Sequence, residues 1–262
     1  APEVNSTYLP HSVNSEIFKP LSETQIKDIR DKSLHENDRS KVIFFWNNRN
    51  ARRKQSGTLI WWFKEWLDKE DLHDKASLIM HTEPKDPHGQ DLEHIIDHLE
   101  MHDRQVLLST KKISPENLAQ IYNMVDCTIN ISDAEGFGLS TLESLSCGTP
   151  IIATMTGGLQ EQVTNGTDEF GIGLIPTSKS VIGSQNVPYI YEDRINKNQF
   201  HSALSKIYKM GDKTRKQLGA LGRKHVEENY NFAKLQDKWV EVMDNVVKNN
   251  EEYNGIRFKE VA

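Results

Sequence analysis

The sequence is poor in cysteine, in net positive charge and in long apolar runs. Its two cysteines, Cys127 and Cys147, lie in an apolar strand-like run and at the end of a helix-like run. We expect both to be small buried side chains without a disulfide, which fits a reducing compartment. A formal net charge of −6 argues against a general nucleic-acid binder. No apolar run approaches the roughly 18 residues that a membrane-spanning helix needs, so no transmembrane segment is predicted.

The first residues lack both a signal peptide and an initiating Met. We therefore expect a fragment or a processed product with a cytoplasmic location, and peripheral attachment to a membrane is the alternative. The 262 residues, 36% of them apolar and 27% charged, are enough for one large domain or two small ones with a hydrophobic core.

Short apolar runs alternate with segments of helical spacing. The runs predict strands at residues 41–46, 76–82, 104–109, 126–132, 150–154 and 171–176. Helices are predicted at residues 22–36, 57–68, 91–102 and 114–125, with three amphipathic helices between 196 and 249. Because the strands are apolar throughout, we predict an α/β fold: a parallel sheet with helices on both faces.

The chain is predicted to have three parts. Residues 1–22 contain prolines and are expected to form an extended connector with a first short strand. Residues 23–195 form the domain built on the sheet, and they include a long loop at 176–194. Residues 196–262 form helices packed on that domain. The tryptophans of 57–68 are expected in the core rather than at a ligand.

Two polar segments follow strands of the predicted sheet. The basic loop "NNRNARRK" at residues 47–54 follows the first strand, and the glycine-rich turn "EGFG" at 135–138 follows the fourth. Since ligands bind beyond the carboxyl ends of parallel strands, we expect both segments to form one site.

The residue types of this turn suit a phosphorylated sugar. Gly136 and Gly138 let the backbone approach a ligand closely, and a helix starting near Leu139 presents free amides to a phosphate. Glu135 and Glu143 can each accept paired hydrogen bonds from vicinal hydroxyls. A second interpretation stays open: "STLE" at 140–143 also matches a capping box, with Glu143 capping its own helix and Glu135 a solvated loop acid.

Histidines offer a rival site. His94, His98 and His102 are spaced four apart and would share one face of the predicted helix, which could hold a metal. No cysteine or carboxylate completes the set, so a solvated helix face is the preferred interpretation, and no metal site is predicted.

The stretch "EGFGLSTLESLSCGTPIIAT", followed by Gly157-Gly158 and "EQV", resembles the nucleotide-sugar-binding domain of glycosyltransferase family 4. These are retaining enzymes of the GT-B fold, with two glutamates separated by seven residues around a G-F-G and then C-G-T-P. The segments "FFWNNRNARRK", "SPENLAQIYNMVDCTINIS" and "GALGRKHVEENYNFAKLQDKW" are similar to the family's phosphate loop, base-proximal elements and closing helices. The resemblance implies a Rossmann-like donor-binding domain, the C-terminal half of a GT-B fold.

The resemblance also implies roles for individual residues. Arg49 and Lys54 match the residues that contact the donor diphosphate, and Arg53 could share that role. Glu135 matches the glutamate that contacts the donor sugar, and Glu143 the one that binds ribose hydroxyls. Arg49, Lys54 and Glu135 are therefore the predicted catalytic residues.

The resemblance implies further donor contacts through the backbone: the amides of residues 136–139 would face the sugar and phosphates, and the backbone near residues 112–113 would face the base. Asn48 stands where the family has Gly, and Ser140 stands where many relatives have Pro. Arg52 is expected to face solvent. The implied additional donor-binding residues are Asn48, Arg53, Lys112, Ile113, Gly136, Phe137, Gly138, Leu139 and Glu143.

The predicted function is the donor-binding half of a retaining hexosyltransferase. Its donor would be a UDP-sugar or a GDP-sugar, its acceptor an unknown sugar, lipid or protein, and neither a metal nor another cofactor is required. The N-terminal acceptor domain is expected to be absent from this chain. Two alternatives stay open: a non-catalytic nucleotide-sugar-binding module and a nucleotide-sugar epimerase of GT-B type.

Overall fold

The computed structural model describes residues 6–249. Its main sheet has six strands: β1 Val42–Asn47, β2 Ala76–His81, β3 Val106–Ser109, β4 Cys127–Asn130, β5 Ile151–Thr154 and β6 Gly171–Leu174. All neighbouring strands pair in parallel, in the order β3-β2-β1-β4-β5-β6. All six strands predicted between residues 41 and 176 form, and the predicted α/β fold is confirmed.

Helices connect and cover the strands. They are α1 Glu23–Ser33, α2 Ser56–Glu70, α3 Leu92–His98, α4 Pro115–Met124, α5 Leu139–Ser146, α6 Leu159–Val163, α7 Lys197–Lys209, α8 Gly211–Asn229 and α9 Phe232–Asn249. Two of these helices begin where the local sequence predicts. The Ser22 side chain caps α1 through a capping box with Gln25, and Ser114 caps α4, with Pro115 at its first position.

Both faces of the sheet are covered, as the apolar strands predict. In β1, Phe44 and Trp46 pack into a cluster with α2, α3 and α7. Ile43 and Phe45, which alternate with them, pack into a cluster with α4, α5 and α8 on the other face. All four side chains are fully buried. The strand therefore lies at the centre of the molecule, where its position is fixed from both sides.

The tryptophans of α2 divide between core and surface. Trp66 is fully buried, and its indole Nε1 donates to Ser205 Oγ at 2.8 Å. Trp62 packs against the same cluster, whereas Trp61 is exposed beneath the Lys197 ammonium. The expectation of core tryptophans is thus confirmed for two of the three. Cys127 and Cys147 are buried free thiols, also as expected.

Two local predictions were wrong. The expected loop at 176–194 is an antiparallel hairpin of β7 Ser178–Ile182 and β8 Ile190–Arg194. Its strands are largely exposed, so they lack the apolar run that marks a buried strand. The short strand expected before residue 22 does not form among residues 6–22. Val13 makes a single bridge with Asn231 there, next to Tyr230 at the end of α8.

The strand order reverses between β1 and β4. The chain proceeds outward from β1 through β2 to β3, and then crosses back to place β4 on the other side of β1. The segments that leave the carboxyl ends of β1 and β4 therefore run in opposite directions. In open parallel sheets, the crevice between two such segments is where ligands bind.

Candidate functional site

The basic loop and the glycine-rich turn meet at this crevice, as predicted. After β1 the chain forms a short 3₁₀ helix at Arg52–Lys54, and α2 begins directly behind it. The amide of Asp133, in the segment after β4, donates to the Arg53 carbonyl at 2.8 Å. This backbone bond joins the two segments across the point where the strand order reverses.

Lys54 and Glu135 form the central contact of the site. The Lys54 ammonium donates to Glu135 Oε2, and the two side chains are only 9% and 11% exposed. Arg53 Nη1 lies 3.7 Å from the same carboxylate oxygen and donates to the Ala134 carbonyl at 2.6 Å. Burial lowers the pKa of Lys54, although its pairing with Glu135 opposes that shift. The site thus contains a desolvated cation, a carboxylate and a more exposed guanidinium.

Arg49 is directed elsewhere. Its guanidinium forms a two-bond pair with Asp86 in the segment between β2 and α3, with Nε–Oδ2 at 2.7 Å and Nη2–Oδ1 at 3.1 Å. The pair lowers the pKa of the Asp86 carboxyl. Next to it, the buried amide nitrogen of Asn48 has no hydrogen-bond partner among the described residues. The predicted contact of Arg49 with a diphosphate therefore requires the guanidinium to exchange Asp86 for the ligand.

The glycine-rich turn delivers the chain into α5. Gly138 has a φ of +91° and directly precedes the helix, and no side chain of the described residues caps its start. Ser140 lies inside the helix rather than at its cap, so the capping-box interpretation of "STLE" was wrong. The buried amide of Gln162, on α6, donates to the carbonyls of Phe137 and Gly138 at 2.8 and 3.1 Å. Gln162 therefore fixes the turn through its carbonyls, while the first amides of α5 stay free for a ligand.

Glu143 lies one turn into α5 and is held by two residues that sequence reasoning missed. The fully buried Tyr122 of α4 donates its hydroxyl to Glu143 Oε2 at 2.9 Å, and Asn47 Nδ2 donates to that hydroxyl oxygen at 2.9 Å. Burial raises the pKa of Glu143 to about 7. Tyr122 stands in an apolar helical pattern that predicts core packing. Only its polar end marks it as a partner of a buried acid.

Gly157 and Gly158 allow a second segment to pack against the turn. A Cβ at Gly157, where φ is +50°, would lie 1.7 Å from the Glu135 carbonyl oxygen. The Gly158 amide donates to the Gly136 carbonyl at 3.2 Å. This close approach explains why two glycines follow β5.

The remaining predicted residues occupy the same edge of the sheet. Lys112 is exposed and Ile113 half-buried in the segment between β3 and α4. That segment leaves a strand separated from β1 by β2. Arg52, which was expected to face solvent, is 58% exposed but also makes a two-bond ion pair with Glu192 of β8.

Other regions offer weaker sites. The helix predicted for 91–102 ends at His98, so His102 does not share its face. Among the described residues, no group of three His, Cys, Asp or Glu side chains could hold a metal ion. A groove of about 910 Å³ lies at the opposite edge, between α1 and α8. At its centre, Arg30 and Arg215 both pair with the Asp126 carboxylate.

This chain is similar to proteins of known sequence and of known structure. The N-acetyl-alpha-D-glucosaminyl L-malate synthase of Bacillus anthracis is 25% identical over 114 residues, which cover 44% of this chain and 28% of the relative. The sucrose-phosphate synthase of Thermosynechococcus elongatus superimposes with a TM-score of 0.71 at 23% identity, over 92% of this chain and 52% of that one. HepE of Anabaena, in complex with UDP and glucose, gives a TM-score of 0.64 at 15% identity over 89% and 55%.

The chain spans about half the length of these solved structures, and their likeness shows the fold. Within the described part of the chain, no helix combines the length and the apolar character needed to cross a bilayer. The sequence profile of the family "Glycosyl transferases group 1" matches residues 26–180, which include the basic loop, the glycine-rich turn and both glutamates. Because that match covers more than half of the chain, this chain belongs to the glycosyl transferases group 1 family.

Proposed function

We propose that this chain is the donor-binding half of a retaining, family 4 glycosyltransferase that binds a nucleoside diphosphate hexose and transfers the hexose without a metal. The observation that carries the proposal is the desolvated Lys54–Glu135 pair beside Arg53 and the free start of α5. Cations, a carboxylate and backbone amides converge where the strand order reverses. That combination suits a phosphate joined to a polyhydroxyl group.

Each group has a place on such a donor. Lys54, Arg53 and the first amides of α5 would hold the diphosphate, joined by Arg49 after it leaves Asp86. Glu135 would accept hydrogen bonds from the hexose, and Glu143 from the ribose. The UDP and glucose bound by HepE make UDP the first nucleotide to test on this chain.

The chemistry follows from where charge develops. Transfer breaks the bond between the anomeric carbon and a diphosphate oxygen, so negative charge grows on the leaving group while the sugar becomes cationic. Preorganised cations and amides stabilise that negative charge, so the site can act without a divalent metal. Glu135 is engaged by Lys54, which disfavours its use as a nucleophile. We therefore assign it to binding the sugar, with the acceptor attacking from the face of the departing phosphate.

The acceptor is a sugar, a lipid or a protein, bound by a second domain that completes the active site. The support is length: this chain covers 52% of the sucrose-phosphate synthase chain and 55% of the HepE chain. A crevice at the carboxyl edge of one sheet then forms one wall of the active site.

The test is calorimetric titration of the chain with UDP, GDP and ADP in the absence of metal. We expect one nucleotide to bind, and Lys54→Met and Glu143→Gln each to weaken that binding tenfold or more. Lys64→Met is the matched control, because within residues 6–249 Lys64 pairs with Asp68 alone, away from the site on α2. No binding of any nucleotide by the wild type would overturn the proposal.

A second measurement separates the alternatives. After a UDP-hexose is added together with the acceptor domain, released UDP indicates transfer or hydrolysis. Recovery of an epimerised sugar would indicate an epimerase. Binding without any product would indicate the non-catalytic module.

A further inference from the structure

The β7–β8 hairpin is attached directly to both segments of the candidate site. The Asp193 amide of β8 donates to the Asp133 carbonyl at 2.8 Å, and Asp133 follows β4 just before the glycine-rich turn. The hairpin has no place in the pattern of residues that identified the donor site.

Glu192 is the most buried side chain at this junction. Its residue is 2% exposed, and both carboxylate oxygens are engaged. Arg52 Nη2 donates to Oε1 at 2.5 Å and Arg52 Nη1 to Oε2 at 3.0 Å, and Arg194 Nη2 also donates to Oε2 at 3.0 Å. A buried carboxylate with three charge-assisted bonds is a fixed point rather than a solvated strand residue.

Arg194 extends the contact to the glutamate segment. Its second nitrogen, Nη1, lies 2.9 Å from Asp133 Oδ2, and the same oxygen accepts a bond from Gln55 Nε2 at 2.5 Å. Gln55 directly follows Lys54 and has a φ of +57°, a strained conformation for a residue with a side chain. Its bond to Asp133 helps to hold it there.

These contacts form a closed ring beside the site. From Arg52 the ring passes through Glu192 and Arg194 to Asp133, and it returns through Gln55 and the Arg53 carbonyl to the basic loop. The Lys54–Glu135 pair spans the two segments that the ring joins. A shift of Glu192 would therefore change the separation of the basic loop from the glycine-rich turn.

We propose that Glu192 and Arg194 are positioning residues, through which the β7–β8 hairpin sets the spacing between the diphosphate-binding cations and Glu135. The inference rests on the proposed function, because the ligand whose affinity depends on that spacing is the donor. Neither residue contacts the donor; both act through Arg52 and Asp133. Binding of the diphosphate should therefore depend on the hairpin, while binding of the nucleoside alone should not.

The experiment compares Glu192→Gln with Lys179→Gln. The first keeps the shape of a buried side chain and removes its charge. The second removes an exposed charge of the same hairpin, whose partner among the described residues is Asp193 at 3.6 Å. UDP and uridine are titrated into each variant, and hydrogen–deuterium exchange is measured for residues 52–55 and 133–138 without ligand. We expect Glu192→Gln to weaken the binding of UDP at least tenfold and the binding of uridine less than twofold. Hydrogen–deuterium exchange should become faster in both segments. Lys179→Gln should match the wild type.

Each other outcome has one meaning. Equal weakening of UDP and uridine, or unchanged exchange in both segments, would overturn the positioning role even if the wild type binds UDP. If Glu192→Gln exchanges faster in both segments but the wild type binds no nucleotide, the hairpin still positions the two segments, and the proposed donor function is wrong. Arg52→Gln provides the same test if Glu192→Gln fails to fold, because the Arg52 side chain is 58% exposed. Arg52→Lys keeps the charge without the two-bond geometry and should restore part of the UDP affinity.

Discussion

At the scale of single residues, Glu143 is an acid placed where its charge is costly. Its carboxylate is largely desolvated, and its described partner is the hydroxyl of Tyr122, which is itself polarised by Asn47. The same burial raises the pKa of the Tyr122 hydroxyl far above its ordinary value. A carboxylate kept in such surroundings is available to accept hydrogen bonds from a ligand, because the protein satisfies only part of its capacity.

That placement predicts a dependence of stability on pH. The pKa of Glu143 is about 7 in the folded chain against an ordinary 4.5, so the folded state holds the proton more tightly than the unfolded state. The contribution of Glu143 to the free energy of unfolding is therefore fully present below pH 4.5, and it is lost as the pH rises through 7. The change that Glu143→Gln makes in the free energy of unfolding should be about 3 kcal/mol more stabilising at pH 8 than at pH 4.

Urea denaturation of both chains at pH 4, 6 and 8 checks this, since other titrating groups cancel in the difference. A difference that does not change with pH would contradict the burial of Glu143. The same substitution is expected to weaken nucleotide binding, so stability and affinity should move in opposite directions.

The Lys54–Glu135 pair predicts strong coupling between two side chains. Removing one partner leaves a nearly buried charge without its nearest counter-charge, so Lys54→Met and Glu135→Gln should each cost about 3 kcal/mol. The double substitution removes both charges and should cost clearly less than the sum of the two. A double-mutant cycle from denaturation curves measures this coupling, and additive effects would show that the pair is solvated.

At the scale of elements, the segment after β5 must approach the glycine-rich turn without side chains. Gly157→Ala would place a Cβ against the Glu135 carbonyl at a positive φ, and it should cost about 3 kcal/mol or more. Gly166→Ala is the matched control: its φ of +90° is similarly unfavourable, but the surrounding space is open. It should cost only about 1 kcal/mol.

Thermal unfolding and nucleotide titration of the two alanine variants check this prediction. Gly157→Ala should lose affinity because Glu135 is displaced, whereas Gly166→Ala should bind as the wild type does. Equal losses of stability and affinity in both variants would mean that Gly157 is required because of its backbone conformation and not because of its contact with the turn.

How far the sequence predicted these elements depended on burial. Six strands were found because each is a short apolar run, and the four central strands are buried on both faces. The helix starts at Ser114 and Ser22 were found from local capping chemistry. The hairpin was missed because its strands are exposed, and a turn with Gly183 and Pro188 separates them. Exposed strands have no continuous apolar signal.

Some residues of the site could also be predicted from the sequence, and others could not. Lys54, Glu135 and Glu143 follow strands or begin a helix, so their place at one edge could be inferred from chain order alone. Tyr122 and Glu192 could not be assigned, because each acts through a partner that only the three-dimensional fold brings close. The predicted domain limits at residues 22 and 195, the absence of a metal requirement and the individual donor contacts stay predictions.

At the scale of the whole molecule, α9 differs from every other long helix. Its apolar side chains are exposed: Trp239 at 47%, Met243 at 60% and Val246 at 63%. Since they make little contact with the described core, replacing all three with Gln should change the free energy of unfolding by less than about 1 kcal/mol while raising solubility. Denaturation curves and light scattering check this; a loss of several kcal/mol would show that these side chains belong to the core.

The reversal of strand order has a further consequence, for how the molecule assembles. Lys54 and Glu135 are 81 positions apart, and they meet only once β4 has docked beside β1. Three strands and the helices between them lie on the intervening chain, so a growing polypeptide that has formed only those strands contains the basic loop without its carboxylate. Contacts of such long sequence separation form late, because the whole intervening chain must be ordered first. A nucleotide that binds this crevice would therefore select molecules in which β4 has already docked beside β1.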